Sequence, residues 1–229
     1  MNIFDPMLEL VKTADGSNTF FNPEIGENYH SRNGALAESK HVFLDAGLQY
    51  FLSDKQTGNV DVLEVGFGTG LNFLVTLDFC IHNHLNLAYT GIEAYPLSID
   101  LITKTEYSEY VSPETWKIFD KHYAEALEKK TIINNSIYWE IVPGKLLEFK
   151  SDKLFDVLYF DAFAAVHQPE MWTYESLAHV CQFLRPGGVF VTYAITGNLK
   201  RIMKSLGFSI EKAPGAPGKR EMLRSVKLN

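Results

Sequence analysis

The stretch that decides the fold is Val62-Leu63-Glu64-Val65-Gly66-Phe67-Gly68-Thr69-Gly70-Leu71-Asn72-Phe73. Apolar residues of strand type run into three glycines in five positions, and an apolar helical pattern follows. Glycine lets the backbone turn at positive φ and lets a ligand lie where a Cβ would stand. A strand, a glycine loop and a helix start, in that order, suit a nucleotide-like ligand. The dinucleotide fingerprint requires G-x-G-x-x-G. Here its third position is Leu71 and the glycine comes one residue early, at Gly70, giving E-x-G-x-G-x-G from Glu64. That spacing disfavours a nicotinamide oxidoreductase, and the loop has no P-loop lysine.

Working outward, short apolar segments at 60–65, 87–93, 136–142, 155–161, 188–194 and 208–212 read as strands, with 220–226 as a last one. Helical patterns lie between them at 71–81, 96–110, 113–129 and 170–184. This alternation predicts an α/β domain over residues 60–229, with a mostly parallel sheet covered by helices on both faces. In such sheets ligands bind outside the carboxyl ends of the strands. Residues 1–59 read as an N-terminal extension packing on that domain. Segments 8–13 and 18–21 flank the hairpin signal Asp15-Gly16. Leu36, Phe43, Ala46 and Phe51 predict a helix over 35–52, followed by a polar loop at 53–59.

Hydrophobic residues at 46% and charged residues at 21% of 229 fit a soluble globular chain. No run of 18 apolar residues is present, so no transmembrane helix is expected. The start, Met-Asn-Ile-Phe-Asp-Pro, lacks a secretory leader pattern. Cys80 and Cys181 form no metal-ligand spacing, so a reduced cytoplasmic setting and no metal site are expected. The net charge of −7 is unevenly spread. Thr196–Asn229 carries eight Lys/Arg and two Asp/Glu, net +6, leaving −13 on the rest. A basic end on an acidic protein can meet a polyanion locally, or can simply be a solvated face.

The glycine loop resembles the first motif of class I S-adenosylmethionine-dependent methyltransferases. The resemblance implies a Rossmann-like fold and S-adenosyl-L-methionine as cofactor, held by Glu64, Gly66, Gly68, Gly70 and Asn72. Glu93 ends the second strand, twenty-three residues after Gly70. A carboxylate there can accept from both ribose hydroxyls of a nucleoside; the alternative is a cap for a helix near Pro96. The third strand ends in Val142-Pro143-Gly144-Lys145. Methyltransferases of this class often place an Asp near here to bind the adenine amino group. Here Lys145 takes the matching place, and a backbone carbonyl near Gly144 is expected to serve instead. Asp161 ends the fourth strand, whereas Asp156 begins it, so only Asp161 lies in the ligand crevice. Asp161 is expected to orient an attacking amine, take its proton, or hold the methionine ammonium; the bland alternative is a loop cap.

Six segments together carry a narrower resemblance. They are Phe20–Leu44 (FFNPEIGENYHSRNGALAESKHVFL), EVGFGTGLNFL, GIEAYPLS, FDAFAAVHQPEMWT, LRPGGVFVTY and GKREML. In this order they resemble the methyltransferase domain of the bifunctional enzyme that makes 5-methylaminomethyl-2-thiouridine in tRNA. The resemblance runs from about residue 20 to 226 and implies methylation of the side-chain amine of 5-aminomethyl(2-thio)uridine at the wobble position. The family's oxidase half has no counterpart before Asn229, so separate enzymes would supply the aminomethyl precursor. Asp161 is the expected catalytic residue. Tyr29, Phe163 and Trp172 are aromatic candidates for stacking the base, with Trp172 more in keeping with core. Asn33 and Glu38 belong to a polar segment expected near the active site, and His30 reads as a surface histidine. Lys219 and Arg220, with Lys200, Arg201, Lys204 and Arg224, are expected to meet anticodon phosphates. The rivals are a small-molecule amine methyltransferase or aminopropyltransferase on the same scaffold, and a non-catalytic nucleoside- or tRNA-binding module.

Overall fold

A computed structural model describes residues 7–55 and 57–228. The leader reading rests on residues outside that range. Eight strands form the central sheet: β4 (Asn59–Val65), β5 (Asn86–Glu93), β6 (Thr131–Asn134), β7 (Ile137–Pro143), β8 (Phe155–Phe160), β9 (Leu184–Thr192), β10 (Glu211–Pro214) and β11 (Glu221–Val226). Their order is β10-β11-β9-β8-β4-β5-β7-β6. The five central strands β9, β8, β4, β5 and β7 pair in parallel, and β6, β10 and β11 pair antiparallel at the margins. The chain leaves β4 toward β5 and β7, then returns to lay β8 on the other side. The crevice between β4 and β8 is therefore the topological switch point, where such sheets bind ligands.

Alternation along the strands divides two apolar layers. Val157 and Tyr159 of β8 face one cluster, and Leu158 and Phe160 face the other. All six residues of β8 are buried, as a strand covered on both faces requires. On one face lie α3 (Leu71–His82) and α5 (Pro113–Ala126); on the other lie α6 (Tyr174–Cys181) and α7 (Gly197–Ser205). Ser112 caps α5 by accepting from the Thr115 N–H, and Pro113 opens it without needing a donor. Thr173 caps α6 and Thr196 caps α7 in the same way.

The extension opens with the small sheet β1 (Glu9–Lys12), β2 (Asn18–Asn22) and β3 (Glu27–Asn28). The turn between β1 and β2 is tied by Asp15, which accepts from Thr13 and Ser17 and, through its second oxygen, from the Ala37 N–H. A helical run follows: α1 (Ala35–Glu38), a π-helical stretch Ser39–Gln49, and α2 (Tyr50–Asp54). This run lies on the sheet. A side chain at Gly47 would come within 2.9 Å of Val191 and 3.0 Å of Tyr159, so glycine permits the close approach.

Three element expectations need revision, and one strand was not expected. The helix expected over 96–110 is broken into α4 (Ile99–Thr103) and a 3-10 turn Tyr107–Glu109, because Glu106 turns to φ 60 and the Tyr107 ring is drawn into the core. The one expected over 170–184 is a 3-10 turn, Pro169–Trp172, then α6, with β9 beginning at Leu184. The strand expected at 208–212 is instead β10, preceded by a single bridge from Phe208 to Lys227. The unexpected strand is β6, Thr-Ile-Ile-Asn: its three β-formers are too short a run to stand out between the charged residues that follow α5 and Asn134-Asn135. No helix of the described residues is long and apolar enough to cross a membrane.

Candidate active site

The glycine loop occupies the carboxyl end of β4. Gly66, Gly68 and Gly70 have φ of 84, 53 and 77, a region that L side chains rarely adopt. A Cβ at Gly66 would run into the Asp161 carbonyl oxygen, so the loop and the end of β8 lie in contact. Gly70 begins α3 and packs against Phe119 and Phe67. Behind the loop, Phe67, Phe73, Phe119, Tyr123 and Trp139 form one aromatic cluster, with Phe73 and Trp139 stacked at 4.1 Å. Such packing fixes the loop's shape before any ligand arrives.

Glu93 ends β5, half-buried beside the loop. Its Oε2 accepts from the Gly68 N–H at 2.7 Å and its Oε1 from the Tyr95 N–H at 2.9 Å. The residue thus belongs to the glycine loop, and its local contact to Tyr95 accompanies that tie. Burial raises its carboxyl pKa, against the lowering effect of these backbone donors.

Three polar side chains meet across the crevice. Asn72, in the first turn of α3, donates through Nδ2 to Glu64 Oε1 and to Asp161 Oδ2, each at 2.8 Å. Tyr89 donates to Glu64 Oε2 at 2.7 Å. Desolvation pushes both the Glu64 and Asp161 carboxyls well above the usual carboxylate range. For Asp161 the Glu38 charge adds to this rise, while the Asn72 hydrogen bond and the Lys219 charge oppose it. Asn72 Oδ1 is buried without a hydrogen-bond partner among the described residues.

On the side of Asp161 away from β5, the extension and the β10–β11 turn close in. Tyr29 packs on the Gly68 edge of the loop and meets Phe163 edge-to-face, with centroids 5.2 Å apart. Glu27 accepts from the Ala164 N–H at 2.8 Å, and Tyr193 donates to the Ala162 carbonyl at 2.9 Å. Trp172 is buried and donates to the Phe163 carbonyl at 2.8 Å, so it supports the loop from the core. Asn33 is exposed and lies against Gly218, whose φ of 85 and lack of a side chain make room for it.

Several expectations are corrected here. His30 is not a surface residue: it is buried, its Nδ1 is 3.1 Å from Thr19 Oγ1, and desolvation lowers its pKa to about 4. Lys219 does not stand on an open basic face. Its Nζ donates to buried Glu38 Oε1 at 2.9 Å and lies 3.9 Å from the Tyr193 ring centroid. Arg224 pairs with Glu211 at 2.6 Å, Lys212 with Glu221 at 3.4 Å, and Lys227 caps the carbonyls of Cys181 and Leu184. Half of the basic end is thus consumed internally. Arg201, Lys204 and Arg220 are exposed and Lys200 half-buried, and none of the four forms an ion pair with another described residue.

At the end of β7, Lys145 is exposed and the chain enters a 3-10 turn, Leu146–Glu148. This turn brings Glu148 back to the strand end: a side chain at Gly144 would lie 3.6 Å from Glu148 Oε2. An exposed carboxylate thus lies beside Gly144, three residues after Lys145. Glu27 and Tyr193 lie in segments that carry the resemblance but were not singled out there, and Glu148 lies in none of them. Among the described residues no group of three or more His, Cys, Asp and Glu is arranged to hold a metal. Both cysteines are buried, with thiols pushed up to about 12 by desolvation.

Comparison with known proteins agrees with this geometry. The chain is 28% identical over 238 residues to the tRNA 5-methylaminomethyl-2-thiouridine biosynthesis bifunctional protein MnmC of Magnetococcus marinus, covering 96% of this chain and 34% of that protein. It is 29% identical over 213 residues to the protein of the same name from Pseudomonas syringae pv. syringae, covering 89% and 32%. The chain thus spans about a third of the length of these relatives. Among solved structures, MNMC2 from Aquifex aeolicus superposes with a TM-score of 0.79 at 23% identity, over 99% of this chain and 73% of that one. The magnesium protoporphyrin IX methyltransferase ChlM from Synechocystis, crystallised with bound SAM, gives a TM-score of 0.51 at 13% identity, over 84% and 81%. These two likenesses concern the fold, which is that of class I S-adenosylmethionine-dependent methyltransferases. A family model described as S-adenosyl-L-methionine-dependent methyltransferase matches residues 113–228, and with it the chain belongs to that family.

Proposed function

We propose that this chain methylates the side-chain amine of 5-aminomethyl(2-thio)uridine at the tRNA wobble position. The observation that carries the reading is Asp161: a half-buried carboxylate at the switch point, bridged by Asn72 to Glu64 and flanked by the Tyr29–Phe163 pair. The names of the bifunctional relatives supply the substrate class.

The residues present fit S-adenosyl-L-methionine. Gly66, Gly68 and Gly70 leave room for close approach, and Glu93 offers acceptor oxygens to the ribose hydroxyls. The orphaned Asn72 Oδ1, with Glu64 and Asp161, offers acceptors for an ammonium group. Gly144 and Glu148 stand where the adenine amino group would be read. The bound cofactor supplies an electrophilic methyl group.

An aliphatic amine has a pKa of roughly 10, so at pH 7 its neutral form lies about 4 kcal/mol uphill. Asp161, with its raised affinity for a proton, accepts that proton and then holds the nitrogen by accepting from one of its remaining N–H groups, which leaves the nitrogen lone pair free to attack. Asn72 fixes the rotation of the Asp161 carboxylate through Oδ2, leaving Oδ1 to the amine. Orienting the amine in this way is worth up to roughly 7–11 kcal/mol. Tyr29 and Phe163 provide the aromatic walls for a splayed-out base. Exposed Arg201, Lys204 and Arg220 neutralise anticodon-stem phosphates. A cytoplasmic setting belongs to the same reading.

The test is methyl transfer from labelled S-adenosyl-L-methionine to tRNA carrying 5-aminomethyluridine, read by nucleoside mass spectrometry. Wild type is expected to add one methyl to the side-chain amine, and Asp161→Ala to lose that product. Turnover of free small amines with the tRNA left unmodified would overturn the reading in favour of a small-molecule methyltransferase.

A further inference from the structure

Lys219 is unusual in how firmly it is held. A lysine side chain has about 2 kcal/mol of rotamer entropy to lose on being fixed. Here Glu38 anchors the ammonium at 2.9 Å, and the Tyr193 ring lies beneath it at 3.9 Å. Glu38 is itself fixed, because its second oxygen accepts from the Ser31 N–H at 2.8 Å. An ammonium has three N–H donors. Glu38 uses one and the Tyr193 face occupies the underside, which leaves a donor toward the partly open side; the side chain is 33% exposed. Tyr193, whose ring lies under this ammonium, donates to the carbonyl of Ala162 at 2.9 Å, which places Lys219 at the end of β8 beside Asp161.

The surroundings decide what that donor meets. Glu38 holds the ammonium directly, Tyr193 beneath it bonds the Ala162 carbonyl next to Asp161, and Glu27 bonds the Ala164 N–H of the same loop, so carboxyl groups outnumber the one ammonium at this corner. A phosphate entering this corner would face net repulsion. A neutral carbonyl oxygen would not, and a cationic amine beside it would be attracted. The corner therefore suits a molecule with an amine and a hydrogen-bond acceptor on neighbouring atoms. In a pyrimidine bearing an aminomethyl group at C5, the keto oxygen on C4 is that acceptor.

We propose that Lys219 recognises the acceptor ring: its ammonium donates to the keto oxygen next to the aminomethyl-bearing carbon, while Asp161 takes the amine. This rests on the wobble-uridine reading above. It gives the extension a part in substrate selection, because Glu38 of α1 holds the recognising group in place. It also replaces the phosphate contact that the sequence suggests for Lys219.

The experiment compares wild type with Lys219→Met, which keeps the stem over Tyr193 and removes the donor. On tRNA carrying 5-aminomethyluridine, kcat/KM is expected to fall about 10- to 100-fold, the worth of a hydrogen bond from a charged donor. Cofactor affinity by calorimetry is expected to stay within about 2-fold. Inhibition by the free nucleoside 5-aminomethyluridine, which has no phosphate, is expected to weaken by the same factor as kcat/KM. The slope of log tRNA affinity against log salt is expected to stay unchanged, whereas a phosphate contact would lower it by about 1. A lowered slope with undiminished nucleoside inhibition would overturn the proposal, as would no change at all. A second measurement uses wild type alone, so folding of the variant does not enter. Free 5-aminomethyluridine is expected to inhibit at least about 10-fold more tightly than benzylamine, which has the amine but no keto oxygen; equal inhibition would overturn the proposal. Wild type that leaves the tRNA unmethylated would instead sink the wobble-uridine reading itself.

Discussion

Asp161→Asn is expected to separate stability from activity. Asparagine keeps the shape, and its Oδ1 can accept from Asn72 as the carboxylate does at 2.8 Å. What it removes is a desolvated carboxyl group facing Glu38, Glu27 and Glu64, relieved in part by Asn72 and Lys219. The folded carboxyl holds its proton to higher pH than the ordinary aspartate value of 3.8. Between the two pKa values the native state binds more protons than the unfolded one. Stability is therefore lost as pH rises from about 4 through the folded pKa, and is fully present below that window. Every tenfold gain in proton affinity on folding corresponds to about 1.4 kcal/mol. After discounting for partial exposure to solvent, we expect the variant to gain on the order of 1–2 kcal/mol at pH 8. For a domain of this size that is a rise in Tm of about 2–8 °C. At pH 4 the gain is expected to shrink toward zero. Methyl transfer is expected to fall about 100- to 10,000-fold, the range for a lost proton acceptor. Thermal melts at pH 4, 6 and 8 beside single-turnover assays provide the check. An Asn variant less stable than wild type at pH 8, or equally shifted at pH 4 and pH 8, would refute the account of Asp161 as a strained acid.

Other perturbations probe separate parts of the site. Gly66→Ala forces a Cβ toward the Asp161 carbonyl at a φ of 84, so a loss of at least about 1–2 kcal/mol is expected in denaturant melts. Glu93→Gln removes the charge and turns an NH2 toward one of the two backbone N–H groups that the carboxylate accepts from, so cofactor affinity by calorimetry is expected to drop about 10-fold and stability to fall by about 1–3 kcal/mol. Trp172→Phe removes the donor to the Phe163 carbonyl, which is expected to cost about 1 kcal/mol and to raise KM for tRNA by loosening the Phe163 loop. Arg201→Glu with Arg220→Glu is expected to weaken tRNA binding and reduce its salt slope by about 2, leaving cofactor affinity intact.

The sequence by itself determined the parts of this protein that depend on local order. The apolar run before Glu64, the three glycines and the helix start at Leu71 fix a strand–loop–helix unit, because each piece is dictated by residues a few positions apart. From this unit the carboxyl-end rule places Glu93 and Asp161 in the crevice without coordinates. The broken helix at Glu106 was not legible because a buried Tyr107 outweighs local propensity there, and the edge strand β6 was not because its Thr-Ile-Ile run is too short to stand out without its partner β7. The Lys219–Glu38 pairing on the acceptor side was illegible for a stronger reason. Glu38 and Lys219 are 181 positions apart, and neither lies in a pattern that names the other. Charge counting gathers Lys219, Arg224 and Lys227 into one basic end, since it sees composition and not direction. Only the tertiary structure turns these side chains inward, where Glu38, Glu211 and two backbone carbonyls satisfy them. Chain topology brings the extension and the β10–β11 turn to the same end of the sheet, and the electrostatics of that meeting decide which cations face the acceptor and which remain for a polyanion.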